Sequence, residues 1–554
     1  MFDSKKKQLF QVNKKTTSDS SFVATAMKKT SETLSGNGAL KYNTTGNDFV
    51  DQFSVLGSYK QPRKFSDIEK DCNLLWSQNK LKAVMFIFYI RMITRVVTLF
   101  SGISTKASQK GAELRHEGIM RMIWLHLIAP DTFWKNIGLF VSVGSWKDII
   151  TMLSYDLQYN GWENRKLNWD KFGNLILTGL ENKNTSELIK KYLPQIKANS
   201  KCTTLEAQAD NMIAKWICSL LFGSKESSSN YKRYRKLKSG GTAHQWQQLI
   251  SQKKFDRIDF NAIHGRALNL MVRSKFLVNS GLKAKYEQWI TKPETKDVKY
   301  TGFVHELFQK LPQYNTGLSV AERETINKQF NTLVEKAKAE EELTNFIVVR
   351  DTSGSMDSTA LGTNMSSDHI AKSLAIFFSE FLKGAFQNAW IEFNRDAKMH
   401  TWKGNTPVEK WYNDVADVAG NTNFMSVIKL FCDIKAKGVR EEEFPKGILC
   451  LSDWEFDPSE LGKTNVESAL NALRKAGFSE EYVSNFTIVL WNIENTFYSR
   501  MTRKKFETHG DVSNVFYFSG YSASTISFLT SKIRNASELF DSAMEQEILQ
   551  MIEI

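Results

Sequence analysis

The chain has 554 residues, of which 42% are hydrophobic, 24% charged and 12% aromatic. That mix excludes wholesale disorder and leaves room for about three to five domains, or fewer if one is a large helical array. Five scattered cysteines, none in a C-x-x-C pair, exclude a disulfide framework and fit a reducing compartment. The formal charge of +14 is unevenly spread: residues 1–350 hold 54 Lys+Arg against 32 Asp+Glu, a net +22, whereas residues 351–554 hold 20 against 28, a net −8. A basic section of this size attracts polyanions, nucleic acid foremost, because neutralised phosphates release counterions.

In chain order, residues 1–30 carry lysines without an apolar run of signal-peptide length and read as a disordered basic tail, so a cytoplasmic protein is expected. Residues 31–343 read as a helical module of stacked antiparallel helices. Apolar residues recur at three- and four-residue spacing, as in Leu81, Val84, Met85, Phe88, Met92 and in Met212, Ile213, Trp216, Ile217, Leu220. Breaks are expected at Gly36-Asn37-Gly38, Ala129-Pro130, Asn160-Gly161 and Gly240-Gly241. The longest apolar stretch, Ala83 to Ile90, is closed by Arg91 and Arg95, short of the roughly 20 residues a membrane span needs, so a buried helix and no membrane partner are expected. Ser319 to Leu343 closes the module with a last helix.

From residue 344 to 554 the pattern alternates. Asn345–Arg350, Asn388–Phe393, Gly447–Leu451, Phe486–Trp491 and Val515–Phe518 read as strands. The intervening helices include one with Ile370, Leu374, Phe377, Phe378 and Phe381 on one face, one over Met425–Ile434, and one capped by Thr464 and Glu467 and stopped at Gly477; Ser524 to Ile554 is mostly helical. The fold class expected is therefore α + α/β, an all-α array followed by a doubly wound parallel sheet.

Ligands of such a sheet bind at the carboxyl ends of its strands. Asp351, Ser353 and Ser355 follow the first strand, Thr422 lies in the Gly420–Asn423 loop, and Asp453 follows the GILCL strand. Hydroxyls and carboxylates without His or Cys select a hard cation, Mg²⁺ first and Mn²⁺ or Ca²⁺ as alternatives. The pattern is that of a metal-ion-dependent adhesion site: the hydroxyls of Ser353, Ser355 and Thr422 bind the ion, and Asp351 and Asp453 bind it directly or through water. Two carboxylates leave the ion able to accept an acidic protein partner.

Three basic sets are candidates for RNA contact. The first is Tyr231, Lys232, Arg233, Tyr234, Arg235, Lys236 and Lys238, where cations alternate with rings able to stack on unpaired bases. The second comprises Lys253, Lys254, Arg257, Arg266, Arg273, Lys275, Lys283 and Lys285, and the third Arg91, Arg95, Lys106, Lys110, Arg115 and Arg121. His116, His126, His264 and His305 lack metal-ligand spacing and are expected in packing or surface positions. Without a G-x-S-x-G elbow, a Walker loop or a carboxylate pair placed for acid–base work, no enzyme is expected.

With Asp-Thr-Ser-Gly-Ser-Met at residues 351–356, the last third resembles a von Willebrand factor A domain. Asn37-Gly38-Ala39, Thr45-Gly46-Asn47, the Gly144-Ser145-Trp146-Lys147-Asp148 turn, Ala214-Lys215-Trp216, Tyr234-Arg235-Lys236-Leu237 and the segment 260–286 make the helical part resemble the TROVE module of Ro autoantigen ribonucleoproteins, and more closely their plant and microbial relatives. The resemblance implies a ring or horseshoe of HEAT-like helical pairs closed by the A domain, with small noncoding or misfolded RNA on the basic ring. The function expected is a ribonucleoprotein scaffold. The alternative is a metal-dependent interaction or assembly component without RNA, including a structural protein of a virus or phage particle.

Overall fold

The computed structural model describes residues 32–34, 37–42, 44–58, 63–93, 115–223, 227–239, 246, 249–250, 252–263, 265–296, 298–300, 302–309, 311–312, 317–340, 345–360, 363–382, 384–417, 420–493, 512–521 and 534–554. The expected tail over residues 1–30, the Gly240-Gly241 break, and Arg95, Lys106, Lys110 and His264 lie outside them.

The chain opens on a departure from the all-α expectation. Strands β1 (Glu32–Leu34) and β2 (Leu40–Tyr42) pair as an antiparallel hairpin. Gly38, at φ +89°, supplies the left-handed residue of its turn. Helices follow at Asp48–Ser54, Phe65–Gln78, Lys80–Met92, Arg115–Ile128, Pro130–Val143, Trp146–Asn160, Trp169–Glu181, Lys183–Tyr192, Leu205–Phe222 and Ser228–Ser239. Their ends obey local chemistry: Asn79 caps Lys80–Met92 through its side chain, Pro130 occupies the first turn of its helix, and Gly161, at φ +74°, stops Trp146–Asn160. Ala83 to Met92 is buried on every face, so this helix runs through the interior; no described helix is long and apolar enough to cross a membrane.

The second part is a six-stranded sheet. β3 (Phe346–Asp351), β4 (Ala389–Phe393), β5 (Ala397–Thr401), β6 (Gly447–Ser452), β7 (Thr487–Asn492) and β8 (Val515–Ser519) lie in the order β5-β4-β3-β6-β7-β8. All neighbours are parallel except β4 and β5. The apolar run of β3 becomes a central strand, hydrogen-bonded on both sides. β5 reads Ala-Lys-Met-His-Thr, an edge strand too polar to betray itself by hydrophobicity, and pairs with β4 across a short turn. Helix Asn465–Lys475 carries the expected Thr464–Glu467 capping box.

One continuous buried cluster runs through both parts, so they do not own separate cores. Phe540, in the C-terminal helix Ala536–Met544, packs on Phe49, Phe53 and Phe86 at centroid distances of 5.5, 5.6 and 5.7 Å. The penultimate residue, Glu553, donates its backbone N–H to Asn136 Oδ1 at 3.0 Å. Helix Val320–Glu340 sends Phe330 and Leu333 into this cluster, while its Ala321 joins a second, smaller core around Phe260, Leu268 and Tyr286.

Candidate functional site

β3 turns toward β4 on one side of the sheet and β6 toward β7 on the other, so the strand order reverses between β3 and β6. At such a switch point the two connecting loops part and leave a crevice beyond the carboxyl ends of the strands. Asp351 ends β3, and Ser452 and Asp453 end β6. Asp351 is fully buried, with Ser353 at 1% exposure, Thr422 at 2% and Asp453 at 8%; Ser355 is half-buried.

Asp351 Oδ1 accepts the backbone N–H of Ser353 at 2.9 Å, and Oδ2 accepts the Ser452 hydroxyl at 2.5 Å. The hydroxyls of Ser353 and Ser355 lie 3.1 Å apart. Asp453 Oδ1 accepts the N–H of Glu455 at 3.3 Å. Between these two, Trp454 sits at φ +63° and donates its N–H to Ser452 Oγ at 3.0 Å. A bulky residue in the left-handed region stores about 1–3 kcal/mol of strain, which the surrounding contacts must hold.

Burial, and then the charge of Asp453, push the Asp351 carboxyl far above the usual range, to about 7. Arg350 offers no relief. Its guanidinium is committed to Asp368 at 2.6 Å and Asp414 at 2.8 Å. Two buried, mutually repelling carboxylates beside a pair of hydroxyls form an oxygen-only donor set that a hard divalent cation neutralises, so these residues fit the ion inferred from their types. No group of three or more His, Cys, Asp or Glu suited to a metal occurs among the described residues, so such an ion would rely on the hydroxyls.

Thr422 reaches the same edge by its backbone. Its carbonyl accepts Asp457 N–H at 2.9 Å, and the next residue donates Asn423 N–H to Asn394 O at 2.8 Å. Asn394 in turn donates its amide to Thr352 Oγ1 at 3.2 Å, tying this loop to the one after β3. The N-terminal hairpin packs against the same segment after β6, a contribution the sequence did not reveal. Asn37 Nδ2 donates to the carbonyl of Glu455, and Leu40 makes a β-bridge with Thr464.

The basic sets fare unevenly. Tyr234 is fully buried and donates its hydroxyl to Pro194 O at 3.0 Å, so its ring is not available for stacking on a base, contrary to expectation. Lys238 donates to Leu193 O at 2.5 Å, and the Arg233 guanidinium lies 4.2 Å from the centroid of Phe222. Tyr231 is half-buried, while Lys232, Arg233, Arg235 and Lys236 are exposed on helix Ser228–Ser239. Lys253, Lys254, Arg257, Lys275 and Lys283 are exposed around the second core; Lys285 donates to the carbonyls of Asp256 and Ile258, and the side chains of Arg266 and Arg273 lie outside the described residues.

The third set is corrected outright where it is described. Arg91 pairs with Asp148 at 2.7 Å and Arg115 Nε donates to the same carboxylate at 2.8 Å, while Arg121, fully buried, pairs with Glu117 at 2.9 Å. The Gly144–Asp148 turn is thus a structural knot. Asp148 Oδ2 also accepts Ser145 N–H at 2.8 Å, and a Cβ on Gly144 would stand 2.5 Å from that oxygen. Of the four histidines singled out in the sequence, the three described ones pack: His126 lies among Phe133, Trp134 and Phe172, His305 stacks on Phe303, and His116 bonds to Tyr155.

Fold and site together define a helical array joined to an α/β unit whose mixed, mostly parallel sheet gathers carboxylate and hydroxyl oxygens at its switch point. Residues 345–551, which cover that unit, match the family described as Domain of unknown function (DUF7788). No curated protein matches the sequence.

Proposed function

We propose that the protein is a two-part scaffold whose α/β unit, built like a von Willebrand factor A domain, binds Mg²⁺ at the switch point and through it an acidic protein partner. The observation that carries this reading is the juxtaposition of Asp351 and Asp453, buried together, with the Asp351 carboxyl pushed up by burial and by the charge of Asp453. Asp351, Asp453, Ser353, Ser355 and Thr422 would hold the ion, which would supply an open coordination position for a partner carboxylate. Titrating the protein with Mn²⁺ and following free Mn²⁺ by electron paramagnetic resonance tests it. Expected is one site that Mg²⁺ competes for; no binding to the wild type defeats the reading.

The helical part is proposed to hold RNA, as expected of a TROVE-like module. What supports this is the +22 charge of residues 1–350 together with the exposure of Lys232, Arg235, Lys236, Lys253, Lys254 and Arg257. Phosphate contact of this kind is collective and falls steeply with salt. Affinity for a small single-stranded RNA measured from low to high salt, with the absorbance ratio of protein purified without nuclease, tests it; no bound nucleic acid and a flat salt response would remove RNA from the proposal.

A further inference from the structure

Far along the chain from the metal-site residues, a groove of about 340 Å³ opens between three elements of the helical part. One wall is the extended segment with Leu193, Pro194 and Lys197; the second is the start of helix Leu205–Phe222, with Glu206 and Asp210; the third is Lys238, near the end of helix Ser228–Ser239. Its walls are pinned in place. Tyr234 and Lys238 bond to the carbonyls of Pro194 and Leu193, and Lys197 N–H donates to Asn211 Oδ1 at 2.8 Å.

Glu206 and Asp210 stand one helical turn apart, so their carboxylates share one face. The two lysines come from the other two walls. Among the described residues no ion pair joins Lys197 or Lys238 to Glu206 or Asp210, although Lys197 and Lys147 are near enough to act on Asp210, whose carboxylate also accepts a hydrogen bond from the Ser154 side chain. Burial nevertheless holds the Asp210 carboxyl above, and the Lys238 ammonium below, its ordinary range. Opposite charges that line one groove without closing into an ion pair complement a ligand that is itself amphoteric, carrying both an anionic group and N–H donors.

We propose that this groove binds one unpaired nucleotide, its phosphate on Lys197 and Lys238 and the N–H groups of its base on Asp210 and Glu206. The volume lies at the lower end of small-ligand pockets, which suits a single nucleotide. Guanine is the best fit, because its ring N–H and amino group are adjacent and meet one carboxylate through two parallel hydrogen bonds. Uracil is the worst, since its lone ring N–H lies between two carbonyls that a carboxylate repels. Lys232, Arg235 and Lys236, exposed on the helix that supplies Lys238, would carry neighbouring phosphates when the nucleotide belongs to a strand. For a strand the inference rests on the RNA reading above; for a free nucleotide it stands alone.

The test is calorimetric titration of the full-length protein with GMP and with UMP, then with short RNAs ending in G or U. Expected is GMP binding at least about tenfold tighter than UMP, weakened about tenfold again by Lys197→Gln and by Asp210→Asn, each a change of about 1.4 kcal/mol. Lys197 is exposed, so its variant is expected to melt like the wild type. GMP binding without RNA binding would leave the groove standing and remove the RNA reading. RNA bound equally by wild type and both variants, with no competition from GMP, would overturn the groove and leave the RNA reading. Equal affinity for GMP and UMP would overturn the assignment of Asp210 and Glu206.

Discussion

The Ser452 hydroxyl donates to Asp351 Oδ2 at 2.5 Å, joining the ends of β3 and β6 where the strand order reverses. The bond fixes one carboxylate oxygen, while burial and Asp453 oppose its ionisation. The sign of the pH effect follows. A carboxyl near 7 in the fold and near 4 in the unfolded chain keeps a proton that unfolding releases, so its contribution to stability is full below about pH 4 and is lost as pH rises toward 7. A cation must displace that proton. Mg²⁺ affinity is therefore expected to rise between pH 6 and 8, and the Mg²⁺-induced gain in melting temperature with it. In Asp351→Asn both effects should vanish; a pH-independent Mg²⁺ response in the wild type would contradict the assignment.

Asn37 acts on the same site from the far end of the chain. Its amide holds the Glu455 carbonyl, whose own N–H is bound to Asp453, and two residues on Asp457 N–H holds the Thr422 carbonyl. Asn37→Ala removes a hydrogen bond of about 1 kcal/mol and loosens the segment between two proposed ligands. The expected outcome is Mn²⁺ affinity weakened about fivefold, with Asn37→Gln intermediate. Unchanged affinity in Asn37→Ala would show that the hairpin merely packs there.

Continuous apolar runs were enough to place β3 and β6, and a 3.6-residue period the helix Ser367–Phe381, because a strand buried on both faces is apolar throughout and a helix packed on one face is apolar along a stripe. Both signals were blind to β5, whose side chains are largely exposed, and to the hairpin, whose short strands find their place against residues more than 400 positions away. Charge was the poorest guide. Arg91 and Asp148 are 57 residues apart, and nothing local distinguishes a core arginine from a surface one; only the Glu117–Arg121 spacing of four hinted at a pair. Trp454 in the left-handed region leaves no trace in residue type either.

The Asp148 knot gives a prediction about stability alone. Its carboxylate is fully buried and satisfies Arg91, Arg115 and Ser145 at once. Asp148→Ala strands the Arg91 guanidinium, a loss of about 3–5 kcal/mol for breaking a buried pair from one side. Gly144→Ala should destabilise by a different route, since the new methyl meets Asp148 Oδ2 at 2.5 Å and Phe140 O at 2.8 Å. Urea unfolding of both variants checks this. Wild-type midpoints would mean that the turn tolerates rearrangement.

His126 provides an acid-sensitive element in the helical part. Burial holds its imidazole down to about 4, with Lys171 adding to the effect and Asp156 opposing it. Phe133, Trp134 and Phe172 surround the ring, and Asn168 N–H approaches Nε2 at 3.4 Å, which suits the neutral form. Because the folded value lies below the roughly 6.5 of an unfolded histidine, the stabilisation is complete above that pH and disappears as pH falls toward 4, amounting to about 3 kcal/mol. Melting temperatures between pH 7 and 4 should fall more steeply for the wild type than for His126→Phe, which keeps an aromatic ring in the cluster but has no proton to gain. Parallel profiles for the two proteins would assign the acid lability to other groups.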